Sequence, residues 1–218
     1  MEQVADLEAR VQSLEKLKLK IPSNKGDISD DEISAICRAR RHVESKRCYS
    51  AAWKWVPKDY YSKDLDQRSV ILSAHNRMQL CKALLMENRS IEAKKFDRLN
   101  AQFYLVVVQY GAEINTKKLE VEVRALKPLQ ERLETSKFNF RLASAEDNDK
   151  LTGYVHNSVT PFGLIAQSTV PIILASAIVR DVNFMYMGGG HVDLKLGMAV
   201  DEFVKATGAF VLDVSDAR

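Results

Sequence analysis

The chain has 218 residues, a formal net charge of +3 at pH 7 and three cysteines, Cys37, Cys48 and Cys81. This length predicts one domain of about 150 residues with an appended segment. The charge is too small to identify a partner, and the cysteines lack the C-x-x-C spacing typical of zinc sites. No apolar run approaches the roughly 20 residues that span a bilayer, and the first residues are not signal-like, so we expect a cytoplasmic protein without a membrane partner.

The first 21 residues predict a short amphipathic helix. Its apolar residues follow heptad spacing: Val4, Leu7, Val11 and Leu14. Two to three heptads are marginal for an independent coiled coil, so this helix docks either on its own domain or, through residues 2–21, on a partner or a second copy. The segment from Pro22 to Gly26 breaks the helix, which predicts an extension over 1–28 and a main domain over 29–218.

A basic and aromatic segment follows. Ser29 and Glu32 form a capping box that predicts a helix to about Tyr49. Its predicted buried residues are Ile33, Ile36, Cys37 and Val43. The exposed face and the residues after it carry a positive cluster: Arg38, Arg40, Arg41, Lys46, Arg47 and Lys54. Interleaved with aromatic residues over 49–61, this cluster suits a single-stranded RNA end, but a solvated helix face over a core explains the same pattern.

The sequence predicts a mixture of helices and strands over residues 65–152. We predict helices over 65–76, 115–126 and 128–136, and strands over 78–85, 102–110 and 138–142. Ser144 begins a further helix. The strand over 78–85 contains a single charge, Lys82. That lysine either extends to solvent from a sheet edge or points into a pocket where it meets an anion.

Residues 152–163, TGYVHNSVTPFG, predict an irregular loop. Gly153 and Asn157 tolerate positive φ, and Pro161 fixes its own φ. Such a loop can present backbone N–H groups to a ligand, although the composition also fits an ordinary connection before a strand.

The remaining residues predict mainly short strands. These cover 164–166, 171–175, 184–187, 192–198 and 210–213, with a turn or edge element over 178–182. A helix over 199–207 ends at Gly208. We therefore predict an α+β fold in which a mixed, partly barrel-like sheet is surrounded by helices, with an N-terminal helical extension.

Five segments in this order resemble one family, over roughly residues 60–215. They are Lys82, FRLA at 140–143, LTGYVHNSVTPFG at 151–163, GGGHVDLKL at 188–196 and VDEFVKATGA at 200–209. They resemble the YbaK/prolyl-tRNA synthetase-associated editing domains. The resemblance carries the family lysine onto Lys82 and the family G-x-x-x-P loop onto Asn157–Pro161, with Asn157 in place of the first glycine.

The resemblance implies the editing-domain fold and an aminoacyl-tRNA deacylase that acts on mischarged tRNA without a cofactor or metal. It implies a catalytic set of Lys82, Gly153, Asn157, Ser158, Val159, Thr160 and Pro161. Ser158 and Thr160 are expected to be polar lining and water holders rather than nucleophiles. The expected substrate-binding residues are Tyr154, His156, Phe162, Gly188, Gly189, Gly190, His191 and Asp193, with structural roles open for His156, His191 and Asp193. Arg38, Arg41, Lys46, Arg47 and Lys54 are expected to bind tRNA.

Two alternatives stay open. A non-catalytic adaptor that binds tRNA or an aminoacyl-tRNA synthetase is consistent with Asn157 and with the N-terminal extension. A hydrolase of small amino-acid esters leaves the basic and aromatic segment without a role.

Overall fold

The computed structural model describes residues 20–91 and 96–217. The helix predicted for residues 2–21 lies outside these residues, except for Lys20 and Ile21. No helix in the described ranges is long and apolar enough to cross a membrane. The six α-helices and ten strands of these ranges confirm the predicted α+β class. Their strands form three sheets and not one closed barrel.

Helix α1, Asp30–Ser45, begins at the predicted residue. Ser29 accepts a hydrogen bond from the N–H of Glu32, and the Glu32 carboxylate accepts one from the N–H of Ser29. A cap of this kind contributes about 1 kcal/mol relative to alanine. The helix ends before Tyr49, and Arg47, two residues beyond Ser45, adopts a left-handed φ of 54°.

The larger sheet has five strands in the order β5-β2-β3-β6-β9. Strand β2, Cys81–Asn88, pairs antiparallel with β3, Phe103–Gln109, and with β5, Phe140–Leu142. Strand β6, Ile172–Ala175, lies parallel to β3 and to β9, Phe210–Leu212. The centre of β3 is fully buried, as its unbroken apolar run predicts for an inner strand.

A second sheet is antiparallel and has three strands. Its order is β1-β8-β7, with β1 at Ala52–Trp55, β8 at Leu194–Ala199 and β7 at Phe184–His191. Strands β4, Ala112–Ile114, and β10, Ser215–Ala217, form a two-stranded sheet. An isolated bridge between Leu80, just before β2, and Tyr186 of β7 connects the two larger sheets.

The other helices pack around these sheets. They are α2 at Leu65–Leu72, α3 at Thr116–Ala125, α4 at Ala145–Thr152, α5 at Ser176–Asp181 and α6 at Val200–Thr207. Helices α4 and α6 end at Gly153 and Gly208, whose φ angles are 72° and 61°. Left-handed glycines are the usual C-terminal stop of a helix. The main core runs from Ala39 of α1 to Val214 and includes both larger sheets.

Several predicted elements differ from the structure. Residues 164–166 form a turn rather than a strand, and 178–182 fall mostly in helix α5. The helix predicted over 128–136 is replaced by short 3-10 turns at Leu129–Glu131 and Thr135–Lys137. Leu129 there is 72% exposed, so no core contact is available to stabilise a longer helix.

Candidate active site

A cavity of about 390 Å³ is lined by strand β2, by the hairpin of β7 and β8, and by His156, Asn157 and Val159. Lys82 of β2 and Lys195 of β8 both contribute to its wall. Four tyrosines add aromatic surface: Tyr60, Tyr61, Tyr110 and Tyr186. The cavity therefore combines two amines, aromatic rings and loop backbone, which is a suitable environment for an anionic ligand with an apolar part.

Both ends of the segment 153–163, called the site loop below, are held by helix α1. Arg38 donates hydrogen bonds from Nε to the carbonyl of Gly163 and from Nη2 to the carbonyl of Gly153, each 2.6 Å long. The N–H of Gly163 donates to Nδ1 of His42 at 2.8 Å. A Cβ on Gly163 would lie 2.7 Å from the carbonyl oxygen of Arg38, so only glycine allows helix and loop to approach this closely.

Asn157 has a φ of 67°, which confirms the left-handed conformation predicted for it. Its carbonyl oxygen accepts a hydrogen bond of 2.9 Å from the hydroxyl of Tyr61. A left-handed asparagine costs about 1 kcal/mol, and the contact with Tyr61 helps to offset that cost. Asparagine thus preserves a backbone shape that glycine would also allow.

The hydroxyl groups of the site loop do not line the cavity. Ser158 is 1% exposed, and its Oγ donates to the carbonyl of Val155 at 2.7 Å. Thr160 is completely buried, and its Oγ1 has no hydrogen-bond partner in the described part of the chain. Neither side chain is placed to hold a water in the cavity, contrary to the expectation from the sequence. The loop instead contributes His156, Asn157 and Val159 to the wall.

Lys82 lies in β2, and its Nζ is 5.9 Å from the centroid of the Tyr110 ring. The preceding residue, Cys81, is 2% exposed and belongs to the core, as predicted. Burial raises the pKa of the Cys81 thiol well above its usual range, so this cysteine is an unreactive core residue. Of the two neighbours, Lys82 is the one that brings a charged group to the cavity wall.

Lys195 is a second lysine of the cavity, and the sequence analysis did not identify it. It is 4% exposed, and its Nζ donates to the hydroxyl of Tyr61 at 2.8 Å and to the carbonyl of Val192 at 2.7 Å. Burial lowers its pKa to about 7, against the opposing charge of Asp193. A single charge inside an apolar strand identified Lys82, and the same signal in VDLKLGM could have identified Lys195.

Of the three consecutive glycines, only Gly188 lines the cavity. A Cβ on Gly188 would overlap the carbonyl group of Val159, so the site loop packs directly on the backbone of β7. The N–H of Gly190 donates to the carbonyl of Ser158 at 3.0 Å, which adds a second attachment between loop and strand. Gly189 is buried behind this contact.

His191 and Asp193 belong to a different cluster and do not line the cavity. Asp193 accepts a hydrogen bond of 2.9 Å from the buried ammonium of Lys25, which also donates to the carbonyl of Val56. His191 lies 3.2 Å from the carboxylate of Glu32, and burial lowers its pKa although that carboxylate opposes the shift. These contacts attach Lys25, which precedes α1, and Glu32, in the first turn of α1, to the β7–β8 hairpin, so the structure gives His191 and Asp193 a structural role.

Tyr154, Phe162 and Pro161 are buried inside the site loop rather than exposed in the cavity. The Tyr154 hydroxyl donates to the carbonyl of Phe162 at 2.7 Å, and burial raises its pKa to about 12. Gly153 closes the loop beside them, and a Cβ there would lie 2.6 Å from Nη2 of Arg38. These four residues hold the loop in shape.

The predicted nucleic-acid residues divide into two groups. Arg38 faces the protein, where it binds the site loop and lies 4.7 Å over the Tyr154 ring, so it is not free to contact a nucleic acid. Lys54 donates to the hydroxyl of Ser73 at 2.9 Å. Arg41, Lys46 and Arg47 are exposed in or just after the last turn of α1. Within the described ranges, no group of three or more His, Cys, Asp or Glu side chains is placed to hold a metal ion.

Comparisons with known proteins identify the family of the chain and its fold. The family model described as an aminoacyl-tRNA editing domain matches residues 73–206. A solved structure described as a candidate trans-editing enzyme for prolyl tRNA synthetase has a TM-score of 0.64 and 17% identity, over 88% of this chain and 100% of that chain.

Two further structures share the fold. One is a scaffold protein for linear epitopes grafted by computational design, with a TM-score of 0.64 and 15% identity over 88% of this chain and 100% of its own. The other, described as hypothetical, has a TM-score of 0.60 and 21% identity over 82% of this chain and 99% of its own. At these identities the likeness shows the fold alone. None of the curated proteins matches the chain significantly.

Proposed function

This chain belongs to the aminoacyl-tRNA editing domain family, and from that premise we propose that it is a trans-editing deacylase. The reaction is hydrolysis of the ester between a wrong amino acid and the 3′ end of tRNA. Water adds to the ester carbonyl, the bond to the ribose oxygen breaks, and the products are the free amino acid and a tRNA with both terminal hydroxyls.

The observation that carries this proposal is the shared cavity of Lys82 and the site-loop backbone. In the proposed complex, the Lys82 ammonium binds the phosphate of the terminal nucleotide as a point charge. The ester carbonyl lies at the loop, where Asn157 and Val159 line the wall. Within the described ranges, no hydrogen bond uses the N–H of either residue, whereas the N–H of Ser158 donates to Val155. Free N–H groups of this kind stabilise a developing oxyanion.

No side-chain nucleophile is part of the proposal. The hydroxyl of Ser158 is bound to a backbone carbonyl inside the loop, and burial raises the pKa of the Cys81 thiol. An ester beside a free ribose hydroxyl is intrinsically labile, so holding that hydroxyl and a water in place provides much of the rate. The residues of the cavity therefore act by binding and orientation.

Exposed cations of α1 would contact the rest of the tRNA. Arg41, Lys46 and Arg47 are exposed, and cations on one surface bind phosphates independently of sequence. We include Lys54 in this surface, whereas Arg38 is assigned to the site loop. An aminoacyl-tRNA synthetase that delivers the mischarged tRNA is a further proposed partner, through residues 2–21.

The test is a deacylation assay of the wild-type chain and of Lys82→Ala on alanyl-, cysteinyl-, seryl- and prolyl-charged tRNAs. We expect at least one substrate to be hydrolysed, and kcat/KM to fall by about 100-fold or more in the variant. Lys117→Ala is the matched control, because this lysine side chain is 84% exposed on α3 and lies outside the cavity. Equal rates for the wild type and Lys82→Ala would contradict the assigned role of Lys82.

The same assay distinguishes the proposed deacylase from the adaptor alternative. An adaptor binds tRNA in a filter-binding measurement but releases no amino acid from any substrate of the panel. Deletion of residues 1–28 adds a second distinction. A self-sufficient deacylase keeps its rate after this deletion, whereas an adaptor that acts through the extension loses its synthetase in a pull-down.

A further inference from the structure

Tyr61 and Lys195 connect two distant parts of the chain to the site loop. The Tyr61 hydroxyl donates to the carbonyl of Asn157 at 2.9 Å and accepts from Nζ of Lys195 at 2.8 Å. Lys195 is held in turn by the carbonyl of Val192 at 2.7 Å. A continuous chain of hydrogen bonds therefore runs from the β7–β8 hairpin through the phenol to the loop residue with positive φ.

The aromatic ring gives this chain a rigid geometry. Nζ of Lys195 lies 4.6 Å from the centroid of the Tyr61 ring, and Tyr60 packs edge-on against Tyr61 at 5.3 Å. The guanidinium of Arg68 donates to the carbonyl of Tyr61 at 2.6 Å and lies 5.3 Å from its ring. Because Lys195, Arg68 and Tyr60 contact the ring and Arg68 also binds the backbone carbonyl, the hydroxyl has little freedom to leave the Asn157 carbonyl.

A purely structural role does not account for Lys195. The side chain is almost fully buried, and its hydrogen-bond partners in the described part of the chain are a phenol and a backbone carbonyl, both neutral. Buried lysines are disfavoured unless a carboxylate compensates for the lost hydration. The carboxylate of Asp193 favours the ammonium of Lys195 by its charge, but its hydrogen bond goes to Lys25. A buried amine on the cavity wall without a directly bound carboxylate points to a use in the reaction.

We infer that Tyr61 and Lys195 form a positioning pair that holds the Asn157 carbonyl, and with it the loop backbone, in the geometry needed for hydrolysis. This inference rests on the proposed deacylase function. Neither residue is assigned to the reacting atoms. Their effect passes through the peptide groups of Asn157 and Val159, which line the cavity with Lys82.

The charge of the pair depends on pH in the neutral range. Burial lowers the pKa of Lys195 to about 7, and several groups from packed elements act on it. Asp193 raises the pKa, whereas Arg68 and Lys25 lower it. The rings of Tyr60 and Tyr61 face the amine of Lys195. The cavity wall contains six further titratable side chains: Cys81, Lys82, Tyr110, Asp149, His156 and Tyr186. An ammonium polarises the phenol more strongly than a neutral amine does, so we expect tighter positioning below about pH 7.

The first test compares Tyr61→Phe and Lys195→Met with Lys117→Met. The control removes a lysine amine whose side chain is 84% exposed and lies outside the cavity. We expect kcat to fall by about tenfold or more in both test variants, KM to change by less than about threefold, and the control to remain within about twofold of the wild type. The double variant should be no slower than the slower single variant, because the two residues act in series.

The second readout does not need turnover. Hydrogen–deuterium exchange of a peptide covering 154–163 should be faster in Tyr61→Phe than in the wild type, and unchanged in Lys117→Met. The melting temperature of Tyr61→Phe should stay close to that of the wild type, because the variant retains its aromatic ring. Lys195→Arg, which keeps a permanent cation, should retain most of the rate and should lose any decline of the catalysed rate above about pH 7.

The outcomes separate this inference from the proposed function. If the wild type deacylates and Lys82→Ala does not, while Tyr61→Phe keeps full rate and full loop protection, the positioning pair is refuted and the function stands. If the wild type hydrolyses none of the charged tRNAs, the function fails, and the exchange measurement still decides whether the pair holds the loop.

Discussion

The backbone N–H of Gly163 donates a hydrogen bond of 2.8 Å to Nδ1 of His42, which attaches the end of the site loop to helix α1. The acceptor must be an unprotonated ring nitrogen, so this contact exists only while His42 is neutral. The His42 ring also packs edge-on against Phe162, with the two centroids 5.5 Å apart. The histidine therefore contacts the site loop at two adjacent residues.

This contact predicts a pH dependence of stability. Burial lowers the pKa of His42 below its ordinary value, and the charge of Lys46 lowers it further. An unfolded histidine takes up its proton near pH 6.5 and the folded one only at lower pH, so the unfolded state binds more protons in between. The stabilising contribution of neutral His42 is complete above about pH 6.5 and is lost as the pH falls through the pKa that His42 has in the folded state.

The measurement is urea unfolding at a series of pH values. His42→Asn offers a side-chain oxygen to Gly163 without a titrating group, so we expect a weaker loss of stability on acidification. Some slope should remain, because burial also lowers the pKa of His191. His75→Asn, at an exposed position, is the control and should keep the wild-type slope. An unchanged slope in His42→Asn would contradict this account.

Arg38 and Arg47 should respond differently to substitution. Arg38 holds both ends of the site loop, so Arg38→Met should reduce kcat by about tenfold or more while the salt dependence of tRNA binding stays unchanged. Arg47 is exposed, and Arg47→Met should weaken binding and reduce the slope of log K against log salt by about one. Filter binding between low and high salt checks both. A reduced slope for Arg38→Met would show that this side chain reaches a phosphate.

Gly188 should tolerate no side chain. A Cβ there would overlap the carbonyl group of Val159, so Gly188→Ala must displace the site loop from β7. We expect a loss of about 1–3 kcal/mol of stability and at least about a tenfold loss of deacylation. Gly111→Ala is the matched control, because an added Cβ there meets nothing within 4 Å. Full activity of Gly188→Ala would mean that the loop geometry is not required.

Thr160 should be replaceable by valine. Its buried Oγ1 has no hydrogen-bond partner among the described residues, and burying an unpaired hydroxyl is unfavourable. Thr160→Val should therefore raise the free energy of unfolding by up to about 1 kcal/mol. Activity should stay within about twofold. Thr152→Val is the contrasting variant, because the Thr152 hydroxyl donates to the carbonyl of Asn148 at 2.7 Å and accepts from the N–H of Tyr154. A large loss of activity in Thr160→Val would restore the water-holding role.

Some features of this protein follow from short stretches of sequence. The capping box at Ser29, the left-handed Asn157 and the helix stop at Gly208 are all observed as predicted. Each depends on the conformational range of one or two residues and on hydrogen bonds to near neighbours. The buried strand β3 follows from its unbroken apolar run for the same local reason.

Other features depend on residues that are far apart in the chain. The sequence pattern places Arg38 on an exposed basic face, yet its side chain binds carbonyl groups more than a hundred residues away. His191 and Asp193 follow the glycines of the hairpin but contact Glu32 in the first turn of α1 and Lys25 before it. A charged side chain on a helix or strand has a predictable face, but the element that packs on that face is not encoded locally.

The sequence alone determined the class of fold, the positive φ of Gly153 and Asn157 and the presence of Lys82 in an apolar strand. The tertiary structure alone decided what surrounds that lysine. Tyr61 and Lys195 are separated by 134 residues and meet only because the β7–β8 hairpin packs beside the turn at Tyr60–Ser62. A contact of this range forms when distant elements pack together, so the second lysine and its phenol become visible only in the folded chain.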